Sequence, residues 1–99
     1  MNMQSLMAQA QKMQKDIMNK KAEVDNKIFS GKSELVDVEV NGKKEVISVN
    51  IKNKEELSAD DIEILQDMIV IAINDANKKV DDALNEAMGP YGNSLNGLL

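Results

Sequence analysis

Ninety-nine residues suffice for one domain with one small core. The chain has no Cys and no His, so thiolate chemistry and the usual imidazole base or metal ligand are absent, and all twelve basic residues are Lys, so no guanidinium can grip a phosphate or a guanine edge in bidentate fashion. The net charge of −5 is unevenly placed: residues 1–27 carry five Lys against three acids, residues 28–57 five against six, and residues 58–99 two against eight. Positive potential, which any phosphate-binding surface needs, is therefore confined to the first third.

From Met3 to Lys27 the pattern predicts a helix. Met3, Leu6, Met7, Ala10, Met13, Ile17 and Val24 fall on one stripe, close to a heptad with a positions at 3, 10, 17 and 24, and Gln, Lys and Ala fill the remainder. At 1.5 Å per residue such a helix is roughly 38 Å long, too long to lie wholly on a small sheet, so its start projects or pairs with another helix. Five of the seven Met lie here, and their spacing reads as core packing or a soft helix–helix seam rather than a dedicated target-binding groove. Lys12 and Lys15 lie opposite the stripe, Lys20 and Lys27 flank it, and Lys21 lies on it.

Residues 28–52 read as strands. Val36, Val38 and Val40 alternate with acids, and Ile47, Val49 and Ile51 alternate with Ser48 and Asn50. Asn41-Gly42 between them marks a hairpin. A two-residue turn would set Val38 against Glu45. A four-residue loop, Asn41 to Lys44, pairs Val38 with Ile47 and Val36 with Val49 and keeps both apolar sets on one face, so it is preferred. A short strand is expected around Ile28-Phe29, followed by a turn at Ser30-Gly31.

Ser58, with Asp61 three residues on, marks the start of a second helix running to Met88, where Gly89-Pro90 stops it. Its main apolar stripe runs the full length, from Ile62 and Leu65 to Leu84 and Ala87. A second stripe, Ile64, Met68 and Ile71, lies on roughly the opposite face of the N-terminal half. One short chain has little material to cover a helix on two sides, which makes Ile64, Met68 and Ile71 the expected interface with a second copy. Residues 89–99 read as a flexible tail. The N-terminus has no charged segment leading into an apolar one, and no run approaches membrane-spanning length, so a soluble cytoplasmic chain is expected.

Little here supports catalysis. Asp60-Asp61 is explained by the helix start and Asp81-Asp82 by a solvated helix face, and adjacent helical residues point about 100° apart, so neither pair converges on a metal or a reacting bond. Ser30-Gly31-Lys32-Ser33 lacks the spacing of a phosphate loop. With Phe29 and Tyr91 the only aromatics, no base-stacking platform is available either. The dibasic pairs Lys43-Lys44 and Lys78-Lys79 read singly as solubilising surface.

Taken in order, Ala10-Gln-Lys-Met-Gln-Lys-Asp-Ile-Met18, the Asn41-Gly42 hairpin with Lys44-Glu-Val-Ile-Ser-Val-Asn-Ile51, Asp61-Ile-Glu-Ile-Leu-Gln-Asp-Met68 and Asn74-Asp-Ala-Asn-Lys-Lys-Val80 resemble the YbaB/EbfC family of bacterial nucleoid-associated proteins. The resemblance spans nearly the whole chain, and its specificity lies in the succession of segments. It implies an α+β protomer, helix–three-stranded antiparallel sheet–helix, in an intertwined homodimer with projecting helices. It further implies a cytosolic, nucleoid-associated protein that binds double-stranded DNA without metal or cofactor, and the residues themselves lead to the expectation that it is not an enzyme. On this chain the matching positive positions are Lys12 and Lys15, then Lys78 and Lys79, with Lys20 and Lys21 beside the first motif. Lacking Arg, the chain is left with backbone-phosphate binding of little base specificity. The alternative is a dimeric protein-interaction module that uses the Met-rich helix seam, with DNA binding incidental.

Overall fold

The computed structural model describes residues 2–91. A first helix, α1 (Met3–Asp25), leads into strands β1 (Ile28–Lys32), β2 (Val36–Asn41) and β3 (Val46–Ile51) and then, after two short 3-10 turns, into α2 (Ile62–Met88). A final turn, Gly89–Tyr91, follows. The strands form one antiparallel sheet in the order β1-β2-β3. This is the expected helix–sheet–helix α+β protomer. At both helix starts a short polar side chain takes an otherwise unpaired amide. Asn2 Oδ1 accepts from the Ser5 amide at 2.8 Å, and the Asp61 carboxylate accepts from the Ser58 amide at 2.9 Å.

The core lies between α2 and one face of the sheet. Val36, Val38 and Val40 of β2 are buried against Ala72, Ala76 and Val80, with Phe29, Leu65, Ile69 and Ile73 around them. Small residues on the helix bring its backbone close to the strands. The closest approach is at Gly31, where a Cβ would stand 1.9 Å from the Ala72 carbonyl oxygen and 2.5 Å from the Ala76 amide nitrogen. Here the expected turn at Ser30-Gly31 is corrected: β1 runs straight through both residues to Lys32. Its glycine serves helix contact, and its φ is not positive. Because the obstructing atoms are backbone, Gly31→Ala must push α2 off the sheet. Chemical denaturation at fixed protein concentration is expected to show a loss of about 3 kcal/mol or more, the upper range for overpacking.

The hairpin register also differs from the expectation. Val36 pairs with Ile51 and Val38 with Val49, two residues along from the anticipated pairing, and an irregularity between Glu39 and Val40 then sets Val40 against Val46. A shift of two preserves which face each side chain takes, so the apolar alternation could not distinguish the two registers. The loop decides it. Asn41 Oδ1 accepts from the amides of Lys43 (2.9 Å) and Glu45 (3.0 Å), the Lys44 amide donates to the Asn41 carbonyl (3.0 Å), and Lys44 itself takes a left-handed φ of 66°. This is a turn closed by one left-handed residue and a bulge, in place of a four-residue loop. Gly42 is again needed for proximity. Its amide donates to the Asp25 carbonyl at 3.2 Å, and a Cβ there would stand 1.9 Å from the Val24 carbonyl oxygen, so the hairpin tip is seated on the end of α1.

The protomer is far from compact, with a radius of gyration of 19.3 Å and extents of 70 × 21 × 15 Å. A compact chain of this length would have a radius of about 13 Å. The excess comes from α1, whose only buried residue is Val24. Its end packs on α2, while residues 3–15 are exposed along their whole length.

Candidate nucleic-acid interface

The six lysines singled out from sequence sort into two groups. Lys21 is held by Asp25 at 3.1 Å, one helical turn on. Lys79 donates to the Ser30 carbonyl at 2.6 Å and lies 3.5 Å from the Asp75 carboxylate. Lys20 sits over the Tyr91 ring, 5.4 Å from its centroid. Among the described residues, Lys12, Lys15 and Lys78 are exposed and have no carboxylate within 4.0 Å. The hairpin lysines divide likewise: Lys44 pairs with Asp81 of α2 at 2.7 Å, and Lys43 is exposed.

Lys79 and Asp75 have a structural task. The Lys32 amide donates to the Asp75 carboxylate at 3.0 Å, so together the two side chains occupy a carbonyl and an amide on the outer edge of β1. That edge is thereby closed to further strands. The Lys32 hydrogen bond, aided by the Lys79 and Lys78 charges, holds the Asp75 carboxyl below its ordinary value against some desolvation. Its contribution is thus present at neutral pH and lost as pH falls through the depressed value.

Lys12 and Lys15 are placed differently. They lie one turn apart on the free part of α1, on the side away from the apolar stripe, in the segment of net positive charge. Lys78 lies about 200° round α2 from the buried Ala76 and so faces away from the sheet. Its neighbours there, Asp75, Asp81 and Asp82, make that surface acidic. The lysines of α1 and α2 therefore do not form one patch on a single protomer.

A family model, that of the YbaB/EbfC DNA-binding family, matches residues 1–95. The chain belongs to this family. A relative in Ligilactobacillus salivarius (strain UCC118), described as a nucleoid-associated protein, is 37% identical over 99 residues, spanning 99% of this chain and 95% of the relative. The same fold is seen in the crystal structure of the uncharacterized protein HP0035 from Helicobacter pylori, with a TM-score of 0.68 at 23% identity, covering 100% of this chain and 99% of that one. Among the described residues no helix is long and apolar enough to cross a membrane.

The second apolar stripe of α2 is only partly free. Met68 is half-buried and packs on the protomer's own core, whereas Ile64 and Ile71 are exposed. A further apolar surface went unseen in the sequence. α2 lies across β1 and β2 and leaves β3 beyond it, so Val46 and Val49, which share a face with the buried Val40 and Val38, are exposed. Ile62 and Val70 of α2 are exposed as well. The signal was available: a helix about 10 Å wide cannot roof three strands spaced about 4.8 Å apart.

Proposed function

We propose that this protein is a dimeric, nucleoid-associated DNA-binding protein that holds double-stranded DNA by its phosphates with little base specificity. The observation that carries this reading is the pair Lys12 and Lys15, exposed and, among the described residues, without an ion-pair partner, on a helix that extends beyond the body of the protomer. Membership of a DNA-binding family supports the class of ligand. Lysine ammonium groups act as point charges on phosphate oxygens, and the absence of Arg removes the commonest contact to guanine. Lys78 and Lys20 join the contact in a supporting role; Lys21 and Lys79 contribute only by leaving their present partners.

Dimerisation is part of the proposal, because α1 of one protomer offers two unpaired lysines among the described residues and two protomers offer four. Its support is the apolar surface on β3 and on the N-terminal half of α2, which a second copy would cover. A gel shift of random-sequence duplex over a range of salt concentrations tests the reading. Binding is expected to be weak near physiological salt and to strengthen sharply below it. Each neutralised phosphate adds about −0.9 to the slope of log K against log salt, so four to six contacts per dimer give a slope of about −4 to −5. Absence of any shift at low salt would favour the protein-interaction alternative, with the Met-rich face of α1 as the contact.

A further inference from the structure

The apolar stripe of α1 meets two different surroundings along its length. From Ile17 onward it lies against the end of α2: Ile17 is half-buried, and Val24 is buried and shares a cleft with Ala83 and Ala87. Toward the start of α1 the same stripe runs on past α2 as Met13 (40% exposed), Ala10, Leu6 (47%) and Met3 (74%), and among the described residues nothing lies on it. A helix–helix seam is thus laid out beyond the point where the second helix stops. Between Asn2 and Gln14 the one charged residue is Lys12, which points to the other side of α1. The free stretch is therefore apolar on its face and uncharged along both margins.

We infer that this stretch is a self-association surface, on which the same stretch of a second copy lies antiparallel. With the two-fold axis level with Ala8, Met3 of each copy meets Met13 of the other and Leu6 meets Ala10, so every layer is apolar and the large Leu6 faces a small residue. The flanking Met7, Gln9 and Gln14 are uncharged, so two identical surfaces meet without like-charge repulsion. A parallel arrangement is shut out by the fold: from Ile17 onward α2 already occupies the stripe, and a helix running the same way would collide with it. Run the opposite way, the second helix brings its Asn2 cap level with Gln14, short of Ile17, and continues the seam where α2 leaves off. Lys12 and Lys15 stay on the outer sides of the pair. The contact covers about 15 Å of a helix about 10 Å wide, well below the roughly 1,200 Å² of a stable interface. It therefore forms where copies are already concentrated and joins assemblies end to end. It uses neither β3 nor Ile64 and Ile71, so it is separate from the proposed dimer contact, and it does not rest on the DNA reading.

The test uses the full chain, which has no native Cys. Leu6→Cys protein and Ala10→Cys protein, mixed at several hundred micromolar in air, are expected to form the mixed disulfide several-fold faster than either protein links to itself. Ala8→Cys, on the opposite side of α1, is the control and is expected to link several-fold more slowly. In sedimentation over the same concentration range, the wild type is expected to double the mass of the species present at low concentration. Leu6→Glu is expected to lose that gain with unchanged circular dichroism, since Leu6 is exposed in the protomer. An Ile71→Asp background should keep the gain, which separates this contact from the one proposed on β3 and α2. Self-links of Leu6→Cys that outpace the mixed disulfide, an Ala8→Cys control that links as fast, or a gain in mass that survives Leu6→Glu would each overturn the inference. Loss of the gain in the Ile71→Asp background would also overturn it, since the two contacts would then be one.

Discussion

Exchanging Lys12 and Lys15 for Glu is expected to weaken DNA binding by about 100-fold at low salt and to flatten the salt dependence by roughly four contacts per dimer. The double substitution removes two positive charges from each protomer and adds two negative ones, on an exposed face of α1. Both side chains are exposed and hold no ion pair among the described residues, so the helix itself has little to lose. Circular dichroism and sedimentation should be unchanged. Affinity is expected to fall by the same factor on every duplex, because phosphate contacts carry no sequence information. Lys32→Glu is the control for bulk charge: its side chain is exposed and only its backbone amide is used, by Asp75. Should that control weaken binding as much per charge as the helix variants do, the effect belongs to net charge and α1 is not the site.

Much of this architecture was legible because apolar spacing is a strong signal. Val36, Val38 and Val40 alternate, and they form the buried row of β2. What escaped the sequence reading was what spacing does not encode. A two-residue slip of β3 leaves Val49 and Ile51 on the expected face, so the choice fell to Asn41 and a left-handed Lys44, and the irregularity that follows puts Val46 opposite Val40 where Ile47 was expected on that face. Gly31 looked like a turn because glycine usually is one, yet it marks the place where the α2 backbone touches β1. Lysines are harder still. Lys78 and Lys79 are adjacent and chemically identical, but one faces solvent and the other reaches the Ser30 carbonyl, a difference set by about 100° of helical rotation and the nearness of β1. Only the fold separates a lysine free to hold a phosphate from one that closes a sheet edge.

The second large effect concerns assembly. At micromolar concentration, sedimentation equilibrium is expected to give twice the 10.9 kDa chain mass, and Ile71→Asp is expected to halve it. In the isolated protomer Ile71 is exposed, so an aspartate there costs that protomer little. If a second copy covers the residue, the same carboxylate is desolvated without a partner, at a cost of several kcal/mol, and a two-fold interface incurs that cost twice. Met68→Asp would be a poorer probe, because Met68 also packs on the protomer's own core and its loss would mix unfolding with dissociation. Val70→Asp tests the other uncovered surface. It is the neighbour of Ile71 but points about 100° away, toward the flank of α2 that carries Asp81 and its ion pair to the β2–β3 loop. An intertwined dimer buries both faces, and both variants should then sediment as monomers, while Asp82→Ala, in the polar half of the helix, should remain dimeric. Dissociation by Val70→Asp alone would assign the interface to the groove beside β3 and remove Ile64 and Ile71 from it. A wild-type protein that sediments at the mass of one chain would remove the dimer altogether, and with it the pairing of lysines from two protomers on which the proposed phosphate binding depends.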